Sequence, residues 1–396
     1  MAQIRKPRMI NTSRILRGLW LSRRVSRIGL SRDLGLNKST ITNIVNELIE
    51  GGLVREASAG VAGPQGGRKP VHIELNPQYG YVLGLEIRPE SYTAVAVDLA
   101  GDILFSRTER LDSHLENFQN NAVELLHKIP QELQWLSIPI LGAGIGISGI
   151  VDTKQGTILG SIPLGITKML PFTQAITSQF DFPIFIENDA NCCAWGELAF
   201  HRTQKLKNFI FTLVEFHDNE RKYFYENTSV GFGMVFNGNV YKGNRFSAGE
   251  FHSVFCHPED KGQFRISNAR ERIEEVPEHL EALVEELCKH LALFVNTFNL
   301  GQIFLGGDIE RHQNLVTPIL LKAIEQNWAY DSPVECEIRF STLGNKSVAY
   351  GAAGMVLEQL FADPDSATAA GIHAMGQRGT LLGFIDSEKK GSKELS

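Results

Sequence analysis

The chain has 396 residues, is 43% hydrophobic and 21% charged, and carries a net charge of −6. This composition suits a soluble globular protein of two or three domains, and no apolar run approaches the roughly 18 residues needed to cross a bilayer. No secretory pattern follows Met1, and five scattered cysteines (Cys192, Cys193, Cys256, Cys288, Cys336) suit reduced thiols in a cytoplasm rather than a disulfide framework.

The charge is unevenly spread. Residues 1–72 hold 13 Lys/Arg against 4 Asp/Glu, a net +9, and the remainder carries −15. A basic head on an acidic body suits one domain that meets phosphates and another that stays off them. The head shows three helical segments. Residues 10–22 place Ile10, Ile15, Leu16, Leu19 and Trp20 on a stripe, with Asn11, Thr12 and Ser13 near its expected start. A short helix over 26–36 ends near Gly35. The third runs from Asn37 to Glu50, with Ile41, Ile44, Val45, Leu48 and Ile49 on one face and Lys38, Ser39, Thr40, Thr42, Asn43 and Asn46 on the other.

Helix, tight turn and a helix opening on short polar side chains form a helix-turn-helix. Its second helix is shaped to enter the major groove of double-stranded DNA, with side chains on base edges. Gly51-Gly52 stops it, and strands at 53–55 and 71–75 form a wing. Between them lies a Gly/Pro-rich stretch ending in Arg68 and Lys69, two cations for the DNA backbone or minor groove. A protein-contact module with a merely solvated polar face is the alternative.

The body opens with strands at Tyr81–Ile87 and Ser91–Asp98, turns at Gly101-Asp102 and continues at Ile103–Phe105. A helix near 117–135 and a strand over 138–147 follow, and strands and helices alternate to the end. The order is that of an α/β fold, actin-like or ribonuclease-H-like with two lobes, behind an N-terminal α+β winged helix-turn-helix. The expected divisions are 1–75 for the head, 76–200 and 201–357 for the lobes, and 358–396 for a peripheral tail.

Six segments carry a resemblance. Gly144-Ile145-Gly146-Ile147-Ser148-Gly149-Ile150-Val151-Asp152, Glu187-Asn188-Asp189-Ala190-Asn191, the stretch 229–238, Ala248-Gly249-Glu250, Phe304–Ile309 and Gly351-Ala352-Ala353 stand in the order found in the ROK family. That family groups bacterial sugar-responsive repressors with sugar kinases. The resemblance implies a sugar-kinase-like body whose ligand contacts are Asn188, Asp189 and Glu250, with His252 a further candidate. Asp189 corresponds to the catalytic base of the kinase members. A carboxylate there accepts sugar hydroxyls and an amide both donates and accepts, although Glu187-Asn188-Asp189 also suits a helix cap.

Two departures point away from catalysis. Kinase members carry D-x-G-x-T on the first hairpin, whereas this chain has Glu86-Ile87-Arg88-Pro89-Glu90-Ser91. Pro89 lacks an N–H, Arg88 is bulky, and Glu90 is expected to add negative charge where phosphates sit, so neither ATP nor phosphoryl transfer is expected. The family's zinc loop of one His and three Cys is reduced to His252, Cys256 and His257, with Ser253 at the family's His position, so no metal is expected. The resulting expectation is a cytoplasmic, homodimeric or tetrameric regulator, a repressor that binds operator DNA and senses a small carbohydrate. Two rivals stay open: an active sugar kinase with an accessory head, and a DNA-binding dimer without a ligand.

Overall fold

The computed structural model describes residues 2–57, 71–111, 117–201, 206–217, 227–257, 259–260, 262–267 and 272–361. Arg68, Lys69, most of the wing stretch and the tail lie outside them.

The head consists of α1 (Ala2–Ser22), β1 (Val25–Ser26), α2 (Arg27–Leu34), α3 (Lys38–Glu50), β2 (Val54–Glu56) and β3 (His72–Leu75). Ser26 caps α2 by accepting from the Gly29 N–H, and Gly35 ends it at φ 64°, a left-handed conformation that glycine adopts without strain. The wing strands pair antiparallel, Val54 opposite Leu75, and β1 adds a third strand through Val25 opposite Ile73. Asn11-Thr12-Ser13 do not start α1. They lie inside it, where the Thr12 hydroxyl donates to the Arg8 carbonyl at 3.0 Å, a satisfaction internal to the helix.

The first lobe contains β4 (Tyr81–Ile87), β5 (Ser91–Asp98), β6 (Ile103–Arg110), α4 (Phe118–Glu132), β7 (Ile140–Ile147), β8 (Ile150–Asp152), β9 (Thr157–Gly160), α5 (Phe172–Ile176) and β10 (Ile184–Asn188). Its sheet runs β10-β7-β4-β5-β6, antiparallel through the opening meander and parallel where helices cross over. After α6 (Asp189–Phe200), the second lobe repeats the plan with β11 (Phe209–Phe216), β12 (Thr228–Phe236), β13 (Asn239–Val240), α7 (Pro277–Phe298), β14 (Gln302–Gly307), α8 (Gln313–Gln326) and β15 (Glu337–Phe340), in the order β13-β12-β11-β14-β15. The last helix, α9 (Ser347–Phe361), returns to the first lobe and packs along α6. It runs past the expected boundary at 357 because Leu360 and Phe361 are buried.

Every residue of β4 is buried because both its faces are covered. Leu83 and Leu85 pack with Leu125 and Ile129 of α4, and Val82 lies in the cluster with Ala349 and Val356 of α9. That second cluster continues without a break into Ile15, Leu16, Leu19 and Trp20 of α1. The Trp20 ring lies 6.1 Å from Phe200 at the end of α6 and 5.8 Å from Phe361 at the end of α9. Arg17 adds an ion pair to Glu358 at 2.6 Å. Head and body therefore share one core.

Candidate functional site

Two surfaces carry the chemistry. In the head, the apolar face of α3 is buried through Ile41, Ile44, Val45 and Leu48. That burial turns Lys38, Ser39, Thr42, Asn43 and Asn46 to solvent and leaves Thr40 half-buried. Asn37 makes no side-chain cap bond, so the first-turn N–H groups of α3 stay available to an anion. Asn46 is partly committed, since its Oδ1 accepts from Arg27 at 3.2 Å, and Arg27 also pairs with Glu56 at 3.3 Å. Arg27 thus joins the polar face, in a groove of about 300 Å³ lined by Ser26, Arg27, Ile28, Lys38, Thr42 and Val71. Its place directly after a capping serine, on the helix preceding α3, was the available sequence signal.

In the body, the ends of β4, β11 and β14 and the start of α6 converge on a chamber between the lobes. Its lining includes Glu86, Arg88, Pro89, Ser148, Asp189, Glu215, His217 and Asp308. The chamber measures about 70 Å³, room for a handful of waters. Arg88 dominates it. Its Nε donates to Glu86 at 2.7 Å, and its other nitrogen reaches Glu215 of the opposite lobe at 2.5 Å. Burial alone would lower the Arg88 pKa, but Glu86, Glu215 and Asp189 outweigh it and raise it. Glu90 stands exposed and does not line the chamber. The expected acidic charge comes instead from Glu86 and Glu215.

Of the four predicted ligand residues, only Asp189 lines the chamber. Asn188 caps α6: its Oδ1 accepts from the Asn191 N–H at 3.0 Å, and its amide donates to the Gly149 carbonyl at 3.1 Å. One N–H and one lone pair of that side chain remain for a ligand. Glu250 lies outside the lining but near enough for its charge to raise the Asp189 pKa. His252 is exposed, because the adjacent Ser253 turns inward and shares a 2.9 Å hydrogen bond with His290. Cys256 lies against the Gly262 and Gln263 carbonyls, and among the described residues no three His, Cys, Asp or Glu side chains converge as metal ligands. Sequence reasoning missed Lys242, which crosses between the lobes to Glu187 and to Thr153, both at 2.7 Å.

Burial first, then Glu215, Glu250 and Glu86, push the Asp189 carboxyl well above its ordinary value of 3.8. The unfolded chain therefore releases this proton first, and the group costs stability as pH rises from about 4 toward the folded value. Asp189→Asn is expected to raise the melting temperature of the ligand-free protein at neutral pH, with the two proteins converging below about pH 4. A difference that stays constant across that range would contradict the assignment.

With this geometry in place, comparison with known proteins is direct. Residues 82–261 match the family model described as the ROK family. The xylose repressor of Bacillus spizizenii is 27% identical over 242 residues, 61% of this chain and 59% of the relative, so the match spans about three fifths of that relative's length. The xylose repressor of Staphylococcus xylosus is 26% identical over 78% of each chain. Among solved structures, a ROK family transcriptional regulator, homologous to the E. coli MLC protein, superposes with a TM-score of 0.68 at 21% identity, covering 93% of this chain and 98% of that one. A ROK family glucokinase from Streptomyces griseus superposes at 0.55 and 18% identity, over 70% of this chain and 99% of that one. The two-lobed fold is thus that of ROK kinases and regulators. Among the described residues no helix is long and apolar enough to cross a membrane.

Proposed function

We propose that this chain, whose residues 82–261 match the ROK family model, is a cytoplasmic DNA-binding repressor of carbohydrate genes whose kinase-like body senses a sugar without phosphorylating it. The observation that carries this reading is the head: a polar α3 face held on a core continuous with the ROK body. Relatives named xylose repressor and N-acetylglucosamine repressor support it. Against kinase activity stands Arg88, a guanidinium tied to Glu86 and Glu215 at the hairpin where kinase members carry their phosphate motif. Phosphoryl transfer depends on positioning and on neutralising phosphate charge, and this hairpin offers neither a glycine-lined approach nor a free cation. We assign neither ATP nor zinc to the protein.

In this reading two protomers place their α3 helices about one DNA turn apart on a palindromic operator. A sugar in the cleft shifts the balance between DNA-competent and DNA-incompetent arrangements. Helix α6 offers the route, since it begins at Asp189 and ends at Phe200 against Trp20 of the head.

The test is binding of the full-length protein to its own upstream intergenic DNA across several salt concentrations, with and without a panel of sugars. Salt-steep binding to one palindromic site, released by one sugar, is the expected result. Lys38→Ala should weaken all sequences alike and reduce the salt slope by about 1. Asn43→Ala should cost about 1–3 kcal/mol at one base position only. Equal affinity for the upstream site and bulk DNA would sink the reading. The narrowness of the chamber favours one second reading, a body that only dimerises. It predicts specific DNA binding that no sugar changes.

A further inference from the structure

The charges around the interlobe chamber discriminate between classes of sugar. Four carboxylates line it, Glu86, Asp189, Glu215 and Asp308, and among the described residues Arg88 is the one lining guanidinium or ammonium group. Arg88 is already spent on Glu86 and Glu215. A second cation that bridges the lobes, Lys242, is spent on Glu187 and Thr153 at 2.7 Å. Asp308 is held by the Phe216 N–H at 2.8 Å and by Arg311 at 2.9 Å.

We propose that this cleft admits a neutral or amino-bearing polyol and rejects sugar phosphates, because the two cations that bridge its lobes among the described residues, Arg88 and Lys242, are consumed by carboxylates of the protein itself. The proposal rests on the sugar-sensing reading and narrows its ligand. A phosphate entering here meets carboxylates at close range, and like-charge juxtaposition in a poorly hydrated site is costly. To recruit Arg88 it must first strip the guanidinium from Glu86 or Glu215, leaving a buried carboxylate unpaired. Hydroxyl and ammonium groups meet the opposite situation, since carboxylates accept from both. The carboxyls of Glu86, Asp189 and Glu250 already sit above their ordinary values, chiefly through burial, so the site resists further negative charge. Ser148 and Ser229 add hydroxyls to the lining, Ser229 sharing a 2.8 Å hydrogen bond with His217.

The experiment is calorimetric titration of the full-length protein with D-xylose, D-glucose, D-glucosamine and the 6-phosphates of the last two. At least one unphosphorylated sugar should bind, and should bind more than about tenfold tighter than its phosphate where the pair exists. Glu215→Gln, which releases one arm of Arg88, should narrow the glucose or glucosamine preference by about tenfold. Glu86→Gln, which keeps the bridge between the lobes, should move it the same way and serves if Glu215→Gln does not fold. Tighter binding of the phosphates, a preference that neither variant moves, or no binding by any sugar would each overturn the proposal. Sugar-free operator binding, measured in parallel, reports separately on the regulator reading.

Discussion

Replacing Trp20 with alanine is expected to destabilise the whole chain, not the head alone, by about 3–5 kcal/mol, the range for truncating a large buried aromatic. The ring is fully buried and packs on Phe200 and Phe361, residues that end the two central helices of the body. Phe200 in turn stacks on Tyr350 at 3.7 Å, and the Tyr350 hydroxyl donates to the Gly101 carbonyl at 2.8 Å. Loss of the indole therefore opens a cavity where three elements meet. Denaturant unfolding followed by circular dichroism measures it, and Trp20→Phe should recover most of the loss. A shift below about 1 kcal/mol for the alanine variant would show that head and body are not packed as described.

Gly351→Ala carries the second large effect. An added Cβ would stand 1.8 Å from the Cys192 carbonyl oxygen and 2.4 Å from its carbon, so the α6 backbone itself blocks it. On the facing helix, a Cβ at Gly196 would lie 3.3 Å from the Gly351 Cα, which shows how closely the two backbones cross. Overpacking a core typically costs 1–3 kcal/mol when side chains can yield. Here a backbone must move, so we expect more than about 3 kcal/mol and a sharp drop in folded yield. Gly160→Ala is the control, because its nearest neighbour is a carbonyl at 3.8 Å, and it should melt near the parent temperature. Equal yields and melting temperatures for both variants would contradict the close crossing of α6 and α9.

The sequence revealed most where a pattern was local. Strands β4 and β5 begin and end at the residues their apolar runs suggested, and α3 follows its helical stripe. Strand β1 escaped because two residues carry no periodicity and pair only with distant β3. The start of α1 was misplaced because Asn-Thr-Ser resembles a cap, while the residues before it sustain the helix. In the site, Asp189 was legible from its motif. The Arg88 side chain was legible as an obstacle but not as a bridge, since nothing near it in the chain announces Glu215. Lys242 escaped for the same reason. The outward position of His252 was not legible, because a shift of one residue in an irregular loop exchanges the inward and outward positions, and it is Ser253 that meets His290.

The continuous core also bears on how the protein is made. Helix α1 leaves the ribosome early, yet Phe361, one of the rings that encloses Trp20, belongs to the last described helix and emerges late. Contacts between such distant parts of a chain form slowly and expose apolar surface in the interval. A nascent or truncated chain that lacks α9 thus holds a head whose first helix has an uncovered apolar face. Completion of the head's packing is tied to completion of the body, so a fragment that stops short of α9 leaves Trp20 without one of the rings that enclose it.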